Sequence, residues 1–119
     1  MVIQKFEDII AWQKARILTA EIYKLTSNCR DYGFKDQIQR ATVSVMNNIA
    51  EGFDRQTDKD FRHFLYIAKG SAAEVRSMLF LALDLKYIDQ DVFGKLYQQV
   101  SEIGRLLLGF IRSLKGSCD

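Results

Sequence analysis

Apolar side chains recur at alternating steps of three and four residues along residues 34–52, and this spacing constrains the fold more than any other feature of the chain. On an α-helix such residues share one face, which a soluble protein buries against a neighbouring element. The stretch therefore predicts an amphipathic helix that faces a core. Its apolar face comprises Phe34, Ile38, Ala41, Val45, Ile49 and Gly52, together with the polar Asn48.

A polar stripe follows the adjacent face of the same predicted helix and contains no lysine. Its members also alternate steps of three and four residues, so their side chains form a ladder of neighbours. Both faces of this helix are therefore expected to meet a partner. The polar stripe consists of Gln37, Arg40, Ser44, Asn47 and Glu51.

Helical spacing continues through the rest of the chain, which has no proline to interrupt it. We predict helices over residues 7–27, 34–52, 57–86 and 89–115. Short connections favour antiparallel neighbours, so we expect an all-α fold: an up-down-up-down four-helix bundle that forms a single domain over residues 1–119.

Polar residues at the predicted helix starts support these boundaries. Asp31 and Asp89 precede the second and fourth helices as N-caps. Thr57, with Asp60 three residues further on, resembles a capping box at the start of the third helix.

Composition places the chain among soluble globular proteins, because 48% of its residues are hydrophobic and 27% are charged. No apolar run reaches the roughly 18 residues of a membrane span, and the first residues lack the pattern of a secretory signal. We therefore expect a cytoplasmic protein with no membrane contact. Cys29 and Cys118 are interpreted as free thiols, because no CxxC or Cys/His spacing accompanies them. Neither a metal nor a cofactor is predicted.

The third predicted helix carries more apolar surface than one core requires, because residues 78–83 are apolar on every side. A contiguous apolar surface of this kind favours self-association. The alternative is an irregular bundle that wraps more of each helix than an ideal one. The candidate residues for an interface between subunits are Trp12, Tyr23, Ile67, Met78, Leu81 and Leu85.

No set of residues in the sequence is typical of catalysis. His63 is the only histidine and points away from the predicted core, so we interpret it as a solvated side chain. The acidic residues around the second connection match no calcium loop and are interpreted as caps and solvated charges. These acidic residues are Glu51, Asp54, Asp58 and Asp60.

Three positions on the predicted apolar faces are read as packing determinants. Asn48 must find hydrogen-bond partners, and Ser71 beside the core face of the third helix is a plausible one. Gly70 lies inside that helix, where glycine is unfavourable, and this indicates a close backbone approach or an adaptable joint.

A basic stripe runs along the third helix, where Arg62, Lys69 and Arg76 lie seven residues apart. Arg105 and Arg112 repeat that spacing on the fourth helix. Basic residues interleaved with aromatic ones are typical of a helix that follows a phosphate backbone, so these five residues are candidates for binding RNA or DNA. With a formal net charge of only +2, an ordinary solvated face is the alternative interpretation.

Three stretches resemble a known family of proteins, those encoded in intervening sequences of bacterial large-subunit ribosomal RNA genes. They are FEDIIAWQKA at residues 6–15, DQIQRATVSVMNNIAEG at residues 36–52 and FLYIAKGSAAEV at residues 64–75. The NIAEG segment and the later Gly70–Ser71 pair are the most specific part of the resemblance. One departure is Met46, which stands where the family commonly has a proline.

The resemblance implies an up-down four-helix bundle that assembles as a ring, a homopentamer, and it implies no enzymatic activity. Related accessory proteins of diversity-generating retroelements form basic rings that are thought to bind nucleic acid and a protein partner. A ring repeats each subunit's basic stripe around an axis, so weak local charge sums over the assembly.

The sequence is therefore consistent with two functions of different classes. The first is a non-enzymatic oligomeric module associated with nucleic acid. The alternative is a self-assembling scaffold, or a module that binds another protein and has no nucleic-acid role. Salt separates them, because phosphate binding weakens steeply with ionic strength and a mainly apolar protein contact changes little.

Overall fold

Four α-helices dominate residues 3–114, the part of the chain that this computed structural model describes. A short 3-10 turn at Phe6–Asp8 precedes them, so the first α-helix begins three residues later than predicted. The all-α fold class is confirmed. The helices are α1 (Ile10–Leu25), α2 (Tyr32–Phe53), α3 (Asp58–Asp84) and α4 (Gln90–Leu114).

Each helix packs against two others in cyclic order, so that α1 contacts α2 and α4, and α3 contacts α2 and α4. The helices lie lengthwise in a body of 47 × 21 × 20 Å. Connections of four to six residues allow only neighbouring, oppositely directed helices. The predicted up-down-up-down four-helix bundle is therefore confirmed.

The predicted N-caps are present at the starts of α2, α3 and α4. Each side-chain oxygen accepts a hydrogen bond from the backbone N–H three residues further on, at 3.2 Å for Asp31, 3.1 Å for Thr57 and 2.9 Å for Asp89. Each bond satisfies a donor that the helix itself leaves unpaired. Local sequence therefore sets where these three helices begin.

α3 ends two residues earlier than predicted, because Lys86 adopts a left-handed backbone conformation with φ of 63°. The Lys86 N–H donates to the Leu83 carbonyl at 3.0 Å, and the Tyr87 N–H donates to the Ala82 carbonyl at 2.8 Å. These two bonds form a Schellman motif, which usually has glycine at the left-handed position. Here a lysine ends the helix.

The core lies along the bundle axis and contains the apolar face predicted for α2. All six of the apolar residues of that face are buried, whereas Asn48 is half-buried at its edge. Leu65 and Val75 of α3 and Leu107 of α4 have no exposed surface. Full burial of each such side chain stabilises the fold by about 1.5–3 kcal/mol.

Met78 was predicted as an interface residue, and this prediction is wrong for the subunit described here. Its side chain is only 8% exposed and belongs to the core. The physical reason is that apolar residues spaced at about 3.5 positions drift around a helix of 3.6 residues per turn. Toward its C-terminal end, the buried stripe of α3 has turned far enough to include Met78.

The other interface candidates remain at least partly accessible in the subunit. Ile67 is 39% exposed, and Leu81 and Leu85 are each 45% exposed. Tyr23 on α1 is also exposed. Trp12 is half-buried, packs against the core and lies beneath the Arg16 guanidinium at 5.8 Å.

Close backbone approach occurs at Gly52 and not at Gly70, which corrects the prediction for Gly70. A Cβ atom on Gly52 would lie 2.7 Å from Phe64 Cβ and 3.0 Å from Phe61 Cδ1, so α2 and α3 can meet there only without a side chain. Gly70 is exposed and has open space where a Cβ would lie. α3 also continues through it, so Gly70 does not form a joint.

We predict opposite effects for alanine at these two glycines. Gly52→Ala should lower the free energy of unfolding by about 1–3 kcal/mol, because the added methyl group overlaps with Phe64. Gly70→Ala, the matched control, should raise it by about 1 kcal/mol through helix propensity. Urea denaturation followed by circular dichroism measures both. If Gly70→Ala is destabilising, its backbone meets a neighbour outside the subunit.

Candidate functional site

A groove of about 590 Å³ runs between α3 and α4. Lys69 and Arg76 of α3 and Arg105 of α4 line it, so cations stand on both of its walls. The structure therefore brings together three of the five residues predicted to bind nucleic acid.

Small residues leave the space that forms the groove. Ala73 of α3 and Ser101 and Gly104 of α4 all line it. A Cβ atom on Gly104 would meet no atom within 4 Å, so the backbone of α4 is open there. The Ser101 hydroxyl is buried and has no hydrogen-bond partner within residues 3–114. The floor of the groove thus consists of small residues, and one of its polar groups is unsatisfied among the described residues.

Within residues 3–114, the charged side chains that line the groove are all cations, and no carboxylate lines it. Across residues 3–114, Lys69, Arg76 and Arg105 take part in no ion pair. The ion pairs found in this part of the chain lie on other faces. They join Lys14 to Glu102, Arg40 to Asp36, Arg55 to Glu51 and Lys95 to Glu21. A chain of small net charge therefore has a local positive surface.

Aromatic side chains lie beside the basic residues. Tyr97 lines the groove, and its ring is stacked on Phe93 at 5.4 Å and lies edge-on to Phe80 at 5.6 Å. The Phe80 ring is 50% exposed. The groove thus has cations along its walls and aromatic side chains at its Tyr97 end. Proteins that bind single-stranded nucleic acid use cations to contact the backbone and aromatic rings to contact the bases.

Arg62 does not belong to this solvated surface, which corrects the predicted five-residue set. Its side chain is 9% exposed, and its Nη1 donates to the Leu114 carbonyl at 3.0 Å. This carbonyl lies in the last turn of α4, where unpaired acceptors and the helix dipole favour a cation. Arg62 therefore ties α3 to the end of α4. Arg112 is exposed but does not line the groove.

Tyr97, Ser101, Gly104 and Leu108 were missed by the sequence analysis as groove residues. They follow one another on α4 at steps of four, three and four, which places them on one helix face. This signal was present in the sequence. It became informative only when the structure placed that face beside Ala73.

A second set of polar contacts forms a seam between α2 and α3. The Asn48 Nδ2 donates to the Ser44 carbonyl at 2.8 Å and to the Ser44 hydroxyl at 3.0 Å. The Ser44 and Ser71 hydroxyl oxygens lie 2.8 Å apart. Asn48 therefore reaches Ser71 through Ser44, and its amide nitrogen is satisfied without direct contact. The polar ladder predicted on α2 thus meets α3 at this point.

Asn48→Ala should lower the free energy of unfolding by about 1 kcal/mol, because it removes the hydrogen bonds to Ser44. Asn47→Ala is the matched control, since Asn47 is exposed and gains the same helix propensity. The free energy of unfolding of the Asn47→Ala variant should not fall. Thermal melts of both variants measure the difference, and an equal effect at the two positions would show that the seam contributes nothing.

The described residues give little support for acid–base or metal chemistry. His63 is exposed, and its ring contacts the neighbouring Phe64. Residues 3–114 contain no group of three His, Cys, Asp or Glu side chains that is placed to hold a metal ion. Cys29 is a free, half-buried thiol, and Cys118 lies outside the described residues. Within residues 3–114, neither His63 nor Cys29 stands in an arrangement suited to catalysis.

Asp31 and Tyr87, which lie outside the groove, form a hydrogen-bonded pair in which each group changes the pKa of the other. The Tyr87 O–H donates to Asp31 Oδ2 at 2.7 Å. This bond, helped by the Phe34 N–H, holds the pKa of the Asp31 carboxyl below its usual value. The same bond raises the pKa of the Tyr87 phenol. The pair connects the α1–α2 and α3–α4 loops.

Comparison with known families gives a match that covers most of the chain. The family described as 23S rRNA-intervening sequence protein matches residues 7–109. No curated protein matches the chain. No helix within residues 3–114 is both long and apolar enough to cross a membrane.

Comparison with solved structures supports the same fold. One similar structure is a crystal structure of a protein of unknown function from the S23 ribosomal protein family of Bacteroides thetaiotaomicron. It is 26% identical to this chain, and the two superpose with a TM-score of 0.80. The match covers 86% of this chain and 98% of the other. The likeness therefore extends over nearly the whole bundle.

Proposed function

The chain belongs to the 23S rRNA-intervening sequence protein family, and we propose that it is a non-enzymatic, homo-oligomeric module that binds the phosphate backbone of RNA or DNA in the α3–α4 groove. The observation that carries this proposal is the presence of Lys69, Arg76 and Arg105 in one groove without a carboxylate. Cations that make no ion pair within residues 3–114 are available to replace the counterions of a phosphate chain.

The arrangement of the cations favours an extended strand that lies along the groove. Lys69 and Arg76 are two helical turns apart, about 10 Å, so they contact successive parts of a strand. Arg105 approaches from the opposite wall. At one end, the exposed Phe80 beside Tyr97 offers aromatic surface on which a base would stack without sequence preference. We therefore propose binding that depends on the backbone more than on sequence.

We propose that assembly of several subunits strengthens the binding of nucleic acid. One subunit carries a net charge of only +2, so a single groove binds weakly. A homo-oligomer, and specifically the pentamer that the family resemblance implies, repeats the groove around an axis. The partly exposed Ile67, Leu81 and Leu85 are the proposed contacts between subunits. The proposed place of action is the cytoplasm, and no cofactor is required.

The second candidate function is a scaffold that binds itself or another protein and has no nucleic-acid role. The same exposed apolar residues favour it, since contiguous apolar area on a protein surface marks protein interfaces. On this alternative the basic groove is a solvated surface. The two candidates differ in their response to salt, because only phosphate binding releases counterions.

Reversal of the groove charges tests the nucleic-acid proposal. Combined Lys69→Glu, Arg76→Glu and Arg105→Glu should weaken binding to generic single-stranded RNA and DNA at least about tenfold at roughly 50 mM salt. The slope of log K against log salt is negative, and each single change to Ala should reduce its magnitude by about 0.7. Fluorescence anisotropy with labelled oligonucleotides measures both.

The matched control reverses one lysine and two arginines elsewhere, through Arg16→Glu, Lys24→Glu and Arg30→Glu. These residues are exposed on α1 and the loop that follows it, and their reversal gives the same net charge as the groove variant. If the control loses binding as strongly, only the total charge matters. If the unaltered protein binds neither nucleic acid at low salt, the scaffold function replaces the first proposal.

Leu81→Asp tests the proposed assembly. Leu81 is 45% exposed in the subunit, so the charge should cost folding little, but it would be expensive to bury between subunits. Light scattering after size exclusion should show an oligomer for the unaltered protein and a smaller species for Leu81→Asp, with helical circular dichroism retained. Ala20→Asp, at an exposed position on α1, should leave the mass unchanged. A monomeric unaltered protein at micromolar concentration would refute the oligomer.

A further inference from the structure

A second cavity lies at the end of the bundle, where the α1–α2 and α3–α4 loops come together, and it shares no residue with the basic groove. Its volume is about 420 Å³. The inner wall is formed by buried apolar side chains from three helices and one loop. They are Ile22, Phe34, Ile38, Leu79, Ala82 and Ile88.

The cavity is partly open to solvent and is larger than the voids that dense packing leaves within a small bundle. Protein interiors pack as densely as organic crystals and leave few voids larger than a water molecule. An apolar cavity of about 150 Å³ already binds benzene, and ligand sites of small molecules begin at about 300 Å³. The space at this end of the bundle is therefore large enough for a ligand with one or two aromatic rings.

The hydroxyl group of Thr26, which lines the cavity, already has hydrogen-bond partners within the protein. The Thr26 hydroxyl donates to the Ile22 carbonyl at 2.7 Å and accepts from Gln39 Nε2 at 2.9 Å. A ligand therefore gains nothing there from a hydrogen-bonding group of its own. The remaining inner wall offers only apolar contact, with Phe34 among its residues.

The rim of the cavity contains one charge of each sign. Arg30 and Asp31 are adjacent in the α1–α2 loop, and both line the cavity. They offset one another, so neither an anion nor a cation is favoured at the entrance. The occupant that this lining fits is uncharged.

One side-chain hydrogen bond connects the two loops across the rim, from the Tyr87 O–H to Asp31 Oδ2 at 2.7 Å. The Tyr87 ring also lies edge-on to Phe34, with 5.2 Å between the ring centres. Tyr87 is 42% exposed and directly follows Lys86, the residue with the left-handed backbone conformation. Rotation of this one side chain would widen the entrance without disturbing a helix.

From these features we propose that the bundle end is a binding site for a neutral aromatic molecule of one or two fused rings, with Tyr87 as its movable cover. The ligand would lie against Phe34, Leu79 and Ala82. The Cys29 thiol, which is half-buried and lines the same cavity, would lie beside it. The proposal does not depend on nucleic-acid binding, because the two sites are separate.

The test uses the full chain with Cys118→Ser, so that Cys29 is the only thiol. The neutral fluorophore 6-propionyl-2-(dimethylamino)naphthalene, which has two fused rings, should bind saturably, with one site per chain and a blue-shifted emission. Ala82→Leu, which adds three carbon atoms to the cavity wall and narrows it, should weaken this binding about tenfold. Ala73→Leu, which adds the same side chain in the basic groove, should leave it unchanged. Unsaturable binding, or equal effects of the two variants, would overturn the proposal.

A second measurement decides the matter if Ala82→Leu does not fold. The reaction of Cys29 with 5,5′-dithiobis(2-nitrobenzoate) should slow at least about fivefold when the fluorophore is saturating. Tyr87→Phe removes the hydrogen bond to Asp31 and keeps the ring, so it should speed the reaction in the absence of fluorophore. If the fluorophore binds and the thiol reacts at an unchanged rate, the ligand lies elsewhere, and the cavity is not its site.

Discussion

Burial of the apolar stripe on α3 is the constraint on which the rest of the structure depends. The helix has 27 residues, about 40 Å, and runs along most of the 47 Å axis of the bundle. Leu65, Ala68 and Val75 in this stripe have no exposed surface. Once they face the core, one flank of α3 must meet α2 and the other must meet α4. The chemistry of those flanks then determines what each side of the helix does.

The two flanks of α3 differ because their small side chains are used differently. Toward α2, the hydroxyls of Ser44 and Ser71 approach to 2.8 Å, and polar contacts close the seam. Toward α4, Ala73, Ser101 and Gly104 leave a groove that no side chain of residues 3–114 fills. Short residues therefore permit direct contact on one side and leave open space on the other. On the open side, the walls have cations that make no ion pair with any described residue.

Signals that act within one helix were sufficient to predict much of the fold. N-caps such as Thr57 depend on neighbours three residues away, so sequence alone identified them. Met78, Arg62 and Gly70 were misjudged because their environments depend on how far the buried stripe has turned and on what the next helix places opposite. Gly52 shows the same limit, since only the position of Phe64 on α3 explains it. Pairwise helix geometry, which no single stripe encodes, accounts for these differences.

The same geometry bears on whether nucleic-acid binding and assembly are compatible. At 3.6 residues per turn, Ile67 and Leu81 lie more than about 100° around α3 from Lys69 and Arg76. The exposed apolar residues thus face away from the groove. A subunit that associates through them keeps its groove open, so assembly would multiply the cationic surface instead of covering it. The proposed function needs this separation, because a groove hidden between subunits would leave its arginines buried beside apolar residues at a high cost in desolvation.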